Sequence, residues 1–387
     1  MTAEKMTRAE LGATFNIAGI FFLRMLGLFM ITPVLALHAA DYRGSTATLI
    51  GLALGVHGLT QGILQIPFGA LSDRYGRKPI IIVGLLLGAI GTGIAALATS
   101  IYTVIAGRAL QGAGAVAGAL MALAADATRD SQRTKALAII GISIGTSFSL
   151  AFVLGPVLDP HLGMSGLFWL ASVLGLGSIF VLFGIPAMPE AAPAEGVGSF
   201  SGVLLDPDLT FLNGSVLLLH LLQMAMFVSV PVLLRDAAGL PRAQHWHVYL
   251  PALVGATILV LPLLRRVDRS PRADAIFAGA VTVLPLAFTG MALWHGSAIE
   301  LTLGLLAFFS AFTFLEGNLP SRVSRAAPAA RKGAALGVFS TSQYLGIFLG
   351  GASGGLISEH YGNPAVLWFC AAVSLFLTVL AIRKCRK

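Results

Sequence analysis

The sequence predicts an all-α membrane protein whose twelve transmembrane helices form two pseudo-symmetric six-helix bundles. Of its 387 residues, 56% are hydrophobic and only 11% are charged, whereas soluble domains carry about 25% charged residues. Long apolar runs alternate with short loops in which the basic residues cluster, and one loop pattern recurs halfway along the chain. The lipid bilayer is the predicted surrounding, because so few polar side chains cannot cover a surface that faces water.

Twelve apolar runs are long enough to cross a bilayer, which takes about 20 residues of helix. They lie near residues 14–38, 47–72, 79–98, 101–126, 133–158, 165–187, 209–235, 245–265, 273–294, 298–322, 332–358 and 363–382. The first run is too long for the apolar core of a signal peptide, and no convincing cleavage site follows it. We therefore expect it to be retained as the first transmembrane helix.

The distribution of basic residues predicts the orientation of the chain. With twelve spans both termini lie on one side, and twenty Lys and Arg residues fall on that side. The opposite side carries only Arg43, Arg235 and Arg242, while Arg24 and Arg108 lie inside helices. Because basic loops stay on the cytoplasmic side, both termini are predicted to be cytoplasmic. The net charge of +8 thus reflects membrane topology, and no nucleic-acid partner is expected.

The linker 188–207 divides the chain into two groups of six helices, 1–187 and 208–387. The linker contains Pro, Gly and acidic residues but no basic residue, a composition that a long solvated loop also has. At an offset of 195 residues, Pro67, Asp73, Arg74 and Arg77 recur as Pro262, Asp268, Arg269 and Arg272. Parallel six-helix repeats with a pathway between them are a known transporter design.

The strongest motif lies between the second and third helices and contains Gly69, Asp73, Arg74, Gly76, Arg77 and Lys78. Gly69 and Asp73 share one helix face, and Gly76 permits a sharp reversal of the chain. The basic residues hold the loop in the cytoplasm. The alternative is an ordinary cytoplasmic loop, which would need the basic residues alone. The whole pattern matches the signature G-x-L-x-D-R-x-G-R-K, so the chain resembles the major facilitator superfamily.

A second motif, in the fourth helix, contains Arg108, Gln111 and Gly112 and resembles the R-x-x-Q-G motif of the same superfamily. An arginine inside a membrane costs roughly 2.5–3.5 kcal/mol on insertion scales, so it is usually functional or paired. The structural alternative is an arginine that binds backbone carbonyls or extends toward the interface.

The fifth helix carries Gly145, Gly155 and Pro156, which partly match the drug-antiporter motif G-x-x-x-G-P-x-x-G-G. Ala151 replaces the first glycine of that motif, and Asp159-Pro160 replaces its last pair. This departure leaves the direction of exchange open.

Over nearly its whole length the chain resembles the proton-driven drug antiporters of this superfamily, especially the YajR-like group of bacterial inner-membrane proteins. Further matching stretches are 23–27, 58–61, 65–69, 245–246 and 340–343. The resemblance implies a monomeric secondary transporter of the inner membrane, not an enzyme, whose two bundles rock about a central cavity. Inward proton flow would expel a small amphipathic substrate; a facilitator or proton symporter of a small metabolite is the alternative. An extra soluble C-terminal domain, found in some relatives, is expected to be absent.

Polar side chains within the apolar runs are the candidates for transport, because burying them at membrane depth is costly. Glu316 is the one acid well inside a span, where burial favours its protonated form; a carboxylate paired with Arg322 is the alternative. His57 and His220 are further proton-coupling candidates, with a hydrogen-bonded structural histidine as the alternative. The substrate-cavity candidates are Arg24, Gln61, Gln65, Gln223, Asn318, Gln343 and Tyr344.

Asp126, at the end of the fourth helix, is a candidate through the resemblance. In relatives an acid at this position pairs with the arginine that Arg77 matches, next to the aspartate that Asp73 matches. Together these residues latch the two halves in the outward-facing state, so protonation of an acid would weaken the latch. Asp126 is therefore the fourth proton-coupling candidate.

The sequence argues against catalysis within the membrane. Such enzymes place a Ser-His pair, an Asp pair or a metal motif in their spans. His245 and His247 are two residues apart and cannot share a helix face, and Cys370 and Cys385 have no partners at metal spacing. Neither a metal nor a cofactor is predicted.

Overall fold

The protein, described here from a computed structural model over residues 5–186, 201–267, 270–328 and 331–385, is built of helices. The twelve long helices are α1 Arg8–Leu35, α2 Ala47–Tyr75, α3 Arg77–Ala96, α4 Ile101–Ala113 with Ala117–Asp126, α5 and α6 within Asp130–Phe183, α7 Pro207–Asp236, α8 Trp246–Val267, α9 Ala273–Leu293, α10 Ala298–Ala326, α11 Lys332–Tyr361 and α12 Asn363–Cys385. The predicted fold class is confirmed. Residues 187–200 of the predicted linker lie outside the described residues, as do Asp268 and Arg269, so the domain boundaries stay a prediction.

The helices begin where the sequence supplies capping side chains. Thr7 and Glu10 form a capping box at α1, and Ser297 and Glu300 form another at α10. Each box satisfies two backbone N–H groups that a helix start leaves without partners. Gly76 alone joins α2 to α3 with φ +90°, a left-handed conformation that glycine adopts without strain. The predicted tight reversal at this glycine is confirmed.

α5 and α6 form one helical stretch of 54 residues, roughly 80 Å at 1.5 Å per residue. The apolar core of a bilayer is only about 30 Å thick, so this stretch crosses twice. The backbone turns at Gly163, where φ is +63° and ψ is −180°. α5 therefore comprises 130–162 and α6 comprises 164–183.

α4 differs from its prediction, because residues 114–116 interrupt the expected continuous helix 101–126. Gly114 packs so closely on α3 that an added Cβ would lie 2.2 Å from the Gly84 carbonyl oxygen. The interruption also frees the Gly114 carbonyl, which accepts a hydrogen bond from Arg24 at 3.1 Å. A tertiary contact, invisible in local periodicity, thus breaks the helix.

Ten helical stretches within the described residues are long and apolar enough to span a membrane. One of them contains both α5 and α6. α11 is the remaining span; its many glycines and serines dilute its apolar character. The count of twelve spans follows.

The two halves, α1–α6 and α7–α12, touch at one end of the molecule and part at the other. We call the side that holds the two termini the terminus side and the opposite one the far side. On the far side a Cβ added to Gly51 of α2 would lie 2.2 Å from the Gly351 carbonyl oxygen of α11. On the terminus side a Cβ at Gly69 of α2 or Gly337 of α11 would meet no described atom within 4 Å. The structure is closed on the far side and open on the terminus side.

α11 carries two rows of glycine with different neighbours. Gly346, Gly350 and Gly354 pack on α7 of the same half, whereas Gly351 and Gly355 pack on α2 of the other half. Added Cβ atoms would lie 2.1 to 2.9 Å from backbone atoms of these neighbours. Small residues let helix backbones approach closely in a membrane, so α11 links the second half to the first.

Candidate functional site

The loop motif between α2 and α3 forms a network of its own within the first half. The Arg77 guanidinium donates to the Asp126 carboxylate at 2.9 Å and to the Ser72 hydroxyl at 2.9 Å, and it also pairs with Asp73. Lys78 donates to the Ile185 carbonyl. The arginine thus joins the end of α2, the start of α3 and the end of α4. The Arg77, Asp73 and Asp126 set implied by the resemblance lies together, although its role as a latch stays a prediction.

The second motif anchors α4 to α2 inside the first half. Arg108 has no exposed surface. It donates to the carbonyls of Ala53 at 3.1 Å and Leu54 at 3.3 Å, and to the Gln111 side chain at 2.6 Å. Its fourth bond, at 2.9 Å, is to Nδ1 of His57. This is the carbonyl-bonded arrangement that the sequence left as an alternative for this arginine.

Gly112 is needed for that anchoring contact. A Cβ at this position would lie 2.1 Å from the His57 carbonyl oxygen. α4 and α2 therefore touch through bare backbone beside the buried arginine, which accounts for the glycine in the R-x-x-Q-G motif.

Arg24 extends from α1 toward the same region. Its Nη2 donates to Oε1 of Gln61 at 3.2 Å and to the Gly114 carbonyl at 3.1 Å. Its other terminal nitrogen, Nη1, is buried without a hydrogen-bond partner among the described residues. Arg24, His57 and Gln61 line one small cavity inside the first half, so three predicted candidates from two helices come together.

The second half holds a different polar cluster, formed by Glu316 of α10, His220 of α7 and Gln343 of α11. The Gln343 amide nitrogen donates to His220 Nε2 at 2.9 Å and to Glu316 Oε1 at 3.2 Å. His220 Nδ1 donates to the Val216 carbonyl at 3.1 Å. Three predicted candidates that are far apart in sequence meet here. Arg322 pairs instead with Asp274 at 2.6 Å, so the alternative of a Glu316–Arg322 pair does not occur.

One oxygen of Glu316 is incompletely bonded. Oε2 is buried, has no hydrogen-bond partner among the described residues, and lies 3.7 Å from His220 Nε2. The Glu316 side chain as a whole keeps 36% of its surface exposed. Since buried polar atoms are nearly always bonded, this oxygen marks a place where a proton or a ligand can be accepted.

Aromatic rings surround the mid-depth of the contact between the halves. Phe148 of α5 lies 6.1 Å from Phe309 and 6.4 Å from Phe312 of α10, measured between ring centroids. Phe312 in turn lies 5.5 Å from the His220 ring. The cluster of Glu316, His220 and Gln343 is therefore bordered by an aromatic wall to which both halves contribute.

A charged group on the far side joins the halves and was not among the predicted site residues. His38 Nε2 lies 2.6 Å from Asp159 Oδ1, and its Nδ1 contacts Asp41. Arg242, from the second half, lies 3.4 Å from the second Asp159 oxygen. The sequence did hold a signal, because Asp159 replaces a motif glycine and Arg242 is one of three far-side arginines.

The remaining predicted residues occupy separate places. Asn318 accepts a hydrogen bond from Arg322 at 2.6 Å, toward the terminus side. Tyr344 lies against Gly58 and Gly62 of α2, while Gln65 and Gln223 are buried.

The glycines of the α5 motif also differ in their contacts. A Cβ at Gly155 would lie 2.5 Å from the Met30 carbonyl oxygen of α1, whereas one at Gly145 would meet no described atom within 4 Å. Pro156 is buried next to Gly155. The motif thus fits α5 to α1 at its far-side end only.

Two helical bundles that meet along α2 and α11 and enclose buried polar clusters have the architecture of a secondary transporter. The family model for the Major Facilitator Superfamily matches residues 17–351. The chain belongs to this superfamily.

Two curated relatives cover almost the whole chain. The chain is 42% identical to the "Inner membrane transport protein YajR" of Escherichia coli (strain K12), over 99% of this chain and 86% of that protein. It is 25% identical to the "Multidrug resistance protein MdtH" of Klebsiella pneumoniae (strain 342), over 92% of this chain and 90% of that protein.

The fold is also that of a solved transporter. The structure superposes on a bacterial homolog of the human lysosomal transporter Spinster with a TM-score of 0.78 at 14% identity. The superposition covers 97% of this chain and 96% of the other.

Proposed function

We propose that this protein is a proton-coupled antiporter of the bacterial inner membrane that expels small amphipathic compounds by alternating access. The observation that carries the proposal is the buried, unbonded Oε2 of Glu316 beside His220. Glu316 lies about 15 Å from the terminus-side end of α10, at 1.5 Å per residue. The carboxylate thus lies within the span, in its terminus-side half, which is the side toward which the halves are open.

The hydrogen bonds of this cluster suit a carboxylate that gains and loses one proton. His220 donates from Nδ1 to a carbonyl, so its neutral ring accepts at Nε2, where Gln343 donates. Both amide protons of Gln343 are then used, on His220 and on Glu316 Oε1. Neither group offers a proton to Oε2. An added proton on Oε2 removes the negative charge of Glu316 without displacing any existing bond.

The surroundings of the carboxylate favour an amphipathic substrate. Phe148 and Phe312 supply aromatic rings from both halves, and aromatic faces attract cations as well as apolar groups. A compound that combines an apolar body with an amine would meet both the rings and the Glu316 carboxylate. Competition between this amine and a proton for one carboxylate is the physical basis of exchange. The name of the MdtH relative, a multidrug resistance protein, agrees with this substrate class.

We infer the orientation from the basic residues, whose distribution favours a cytoplasmic terminus side. With that orientation the observed arrangement is the inward-open state, able to take up a substrate from the cytoplasm. The network of Arg77, Asp73 and Asp126 then faces the cytoplasmic opening and acts as a latch once the halves close there. Protonation of Asp126 would weaken its bond to Arg77 and favour reopening.

A facilitator or a proton symporter of a small metabolite is the second candidate. It is favoured by the incomplete α5 motif, in which Ala151 and Asp159 stand at glycine positions. A facilitator moves its substrate without moving protons, and a symporter moves both in one direction. One measurement of proton movement on addition of substrate therefore distinguishes both classes from an antiporter.

The test uses everted vesicles with a pH-sensitive dye and a panel of amphipathic amines. An antiporter collapses the preformed proton gradient when its substrate is added, a facilitator leaves the gradient unchanged, and Glu316→Gln should abolish the collapse. Glu300→Gln is the matched control: it lies on the same helix, and glutamine is equally suited to a capping box. Gradient collapse by Glu316→Gln equal to that of the wild type would refute the assignment of the proton to Glu316.

A further inference from the structure

The cavity inside the first half has a chemistry that the exchange mechanism does not use. It offers about 30 Å³, which is room for one or two particles the size of water. Its polar lining comes from Arg24, His57, Gln61, Gln111 and Thr92, and glycine, alanine and leucine form the rest. The cavity lies among α1, α2, α3, α4 and α6, and its lining residues all belong to the first half.

The two glutamines turn their amide nitrogens away from the guanidinium groups. A guanidinium can only donate hydrogen bonds. Arg24 therefore fixes Gln61 with its oxygen toward the arginine, at 3.2 Å, and Arg108 fixes Gln111 in the same way at 2.6 Å. The Gln61 Nε2 group is then left without an acceptor among the described residues. Only 1% of this residue is exposed, so the group is buried as well as unpartnered.

His57 and Arg24 add donors to the same lining. Arg108 donates to Nδ1 of His57 at 2.9 Å, so the neutral ring carries its proton on Nε2. The Nη1 group of Arg24 is buried with no acceptor among the described residues. Thr92 gives its own proton to the Gly88 carbonyl. The cavity is thus rich in donors, whereas a water molecule accepts only two hydrogen bonds and has two protons of its own to place.

The buried charge of the region is also uncompensated. Arg24 and Arg108 both carry a positive charge and sit within the bundle. The described acids of the first half bind other groups: Glu10 binds Arg129, Asp41 and Asp159 bind His38, Asp73 and Asp126 bind Arg77, and Asp130 binds Arg133. Glu316 of the second half bonds to Gln343. A buried charge needs a partner in a membrane. Arg108 finds backbone carbonyls, whereas Arg24 has a terminal nitrogen without a partner and no described carboxylate beside it.

We propose that the cavity is a binding site for one small inorganic anion, a halide such as chloride, held by Arg24, Gln61, Gln111 and His57. An anion accepts from all of these donors at once and offsets one positive charge, that of Arg24. It also joins α1, α2 and α4 around the interrupted segment of α4. The anion stabilises the first half and is not exchanged in each transport cycle, because all the residues that line the cavity belong to that half.

The test is a bromide titration of the purified full-length protein in detergent. Bromide replaces gluconate step by step at constant ionic strength, and the unfolding temperature is measured at each step. An anion bound only by the native state raises this temperature in a saturable manner. Gln61→Leu should weaken the affinity for bromide roughly tenfold or more, so the unfolding temperature should rise only at correspondingly higher bromide concentrations. This is the loss expected for a hydrogen bond to a charged partner. Gln61→Glu should abolish the response, because its carboxylate takes the place of the anion beside Arg24. Gln132→Leu, a buried glutamine outside the cavity, should respond like the wild type.

Two outcomes would overturn the proposal. A wild-type protein that responds equally to bromide and gluconate holds water only, and a Gln61→Leu protein with the wild-type response binds the ion elsewhere. A second measurement covers the case in which the variants fail to fold. Crystals of the wild-type protein grown in bromide should show an anomalous scattering peak within hydrogen-bond distance of Arg24 and Gln61, and the absence of that peak is equally decisive against the site.

Discussion

The two halves of this transporter bury charge in opposite ways. The first half encloses two cations, Arg24 and Arg108. Arg108 donates hydrogen bonds to two carbonyls, to His57 and to Gln111. The second half holds one carboxylate, Glu316, which is partly exposed and has an oxygen without a donor. The fully bonded Arg108 network makes the contact between α2 and α4 rigid, whereas Arg24 Nη1, Gln61 Nε2 and Glu316 Oε2 have no hydrogen-bond partner among the described residues. We infer that the Arg108 network supplies a stable scaffold and that the second half supplies the proton-binding group.

The largest expected effect concerns the scaffold. Arg108→Ala removes four hydrogen bonds and leaves the His57 and Gln111 side chains without this donor, and each polar group left without a partner costs about 1–3 kcal/mol. The free energy of unfolding should fall by roughly 3 kcal/mol or more, measured by thermal or denaturant unfolding in detergent. Glu316→Gln should lower it by less than about 1 kcal/mol, because Gln343 can still donate to the amide oxygen. Equal losses in the two variants would contradict the contrast between the halves.

The next effect concerns the far-side contact. Gly351→Ala places a Cβ about 2.4 Å from the Gly51 carbonyl oxygen, and such overpacking costs about 1–3 kcal/mol. This cost applies only while the far side is closed, so the population should move toward the far-open state. Distances between spin labels at Leu97 and Tyr361, both exposed, should lengthen. Gly337→Ala is the control, because a Cβ at this position meets open space. If the label distance changes as much in Gly337→Ala as in Gly351→Ala, this explanation is wrong.

A smaller shift in the same direction is expected from Asp159→Asn. The variant keeps its shape but loses the charge that holds His38 and Arg242 across the two halves, worth roughly 1–2 kcal/mol. The same label pair reports the change. Asp236→Asn removes an exposed far-side charge that is paired within the second half and should leave the distances unaltered. If both variants behave alike, the far-side group does not hold the halves together.

The smallest effect on stability is expected from Asp126→Asn. Its bond to Arg77 is partly exposed, and Arg77 keeps Asp73, so the unfolding free energy should change by less than about 1 kcal/mol. Proton-dependent transport in proteoliposomes should nevertheless slow, because the terminus-side latch is weakened. Asp130→Asn, an exposed acid paired with Arg133, is the control. Transport by Asp126→Asn at the normal rate rules out the latch.

The fold followed from the sequence because spanning a bilayer imposes strong and local rules. Apolar runs of the right length and loops of one charge sign predicted the helices, and the loop at Gly69–Lys78 predicted the superfamily. The interruption of α4 did not follow, since it depends on the approach of Gly84 to Gly114. Local periodicity contains no information about that neighbour.

The candidate site was predicted residue by residue but not as an arrangement. Burial at membrane depth singled out Glu316, His220 and Gln343 separately, and only the packing of three distant helices brings them together. The far-side group of His38, Asp159 and Arg242 was missed because these residues lie near helix ends, where charge is expected. Its one signal was Asp159 at a motif glycine position.

The central claim is that Glu316 exchanges a proton for substrate, and proton release on binding tests it most directly. Purified protein in weakly buffered detergent, mixed with a transported compound, should release protons that a pH-sensitive dye records. Glu316→Gln should release none, while Glu300→Gln releases as many as the wild type. Proton release from Glu316→Gln equal to that of the wild type would contradict the account.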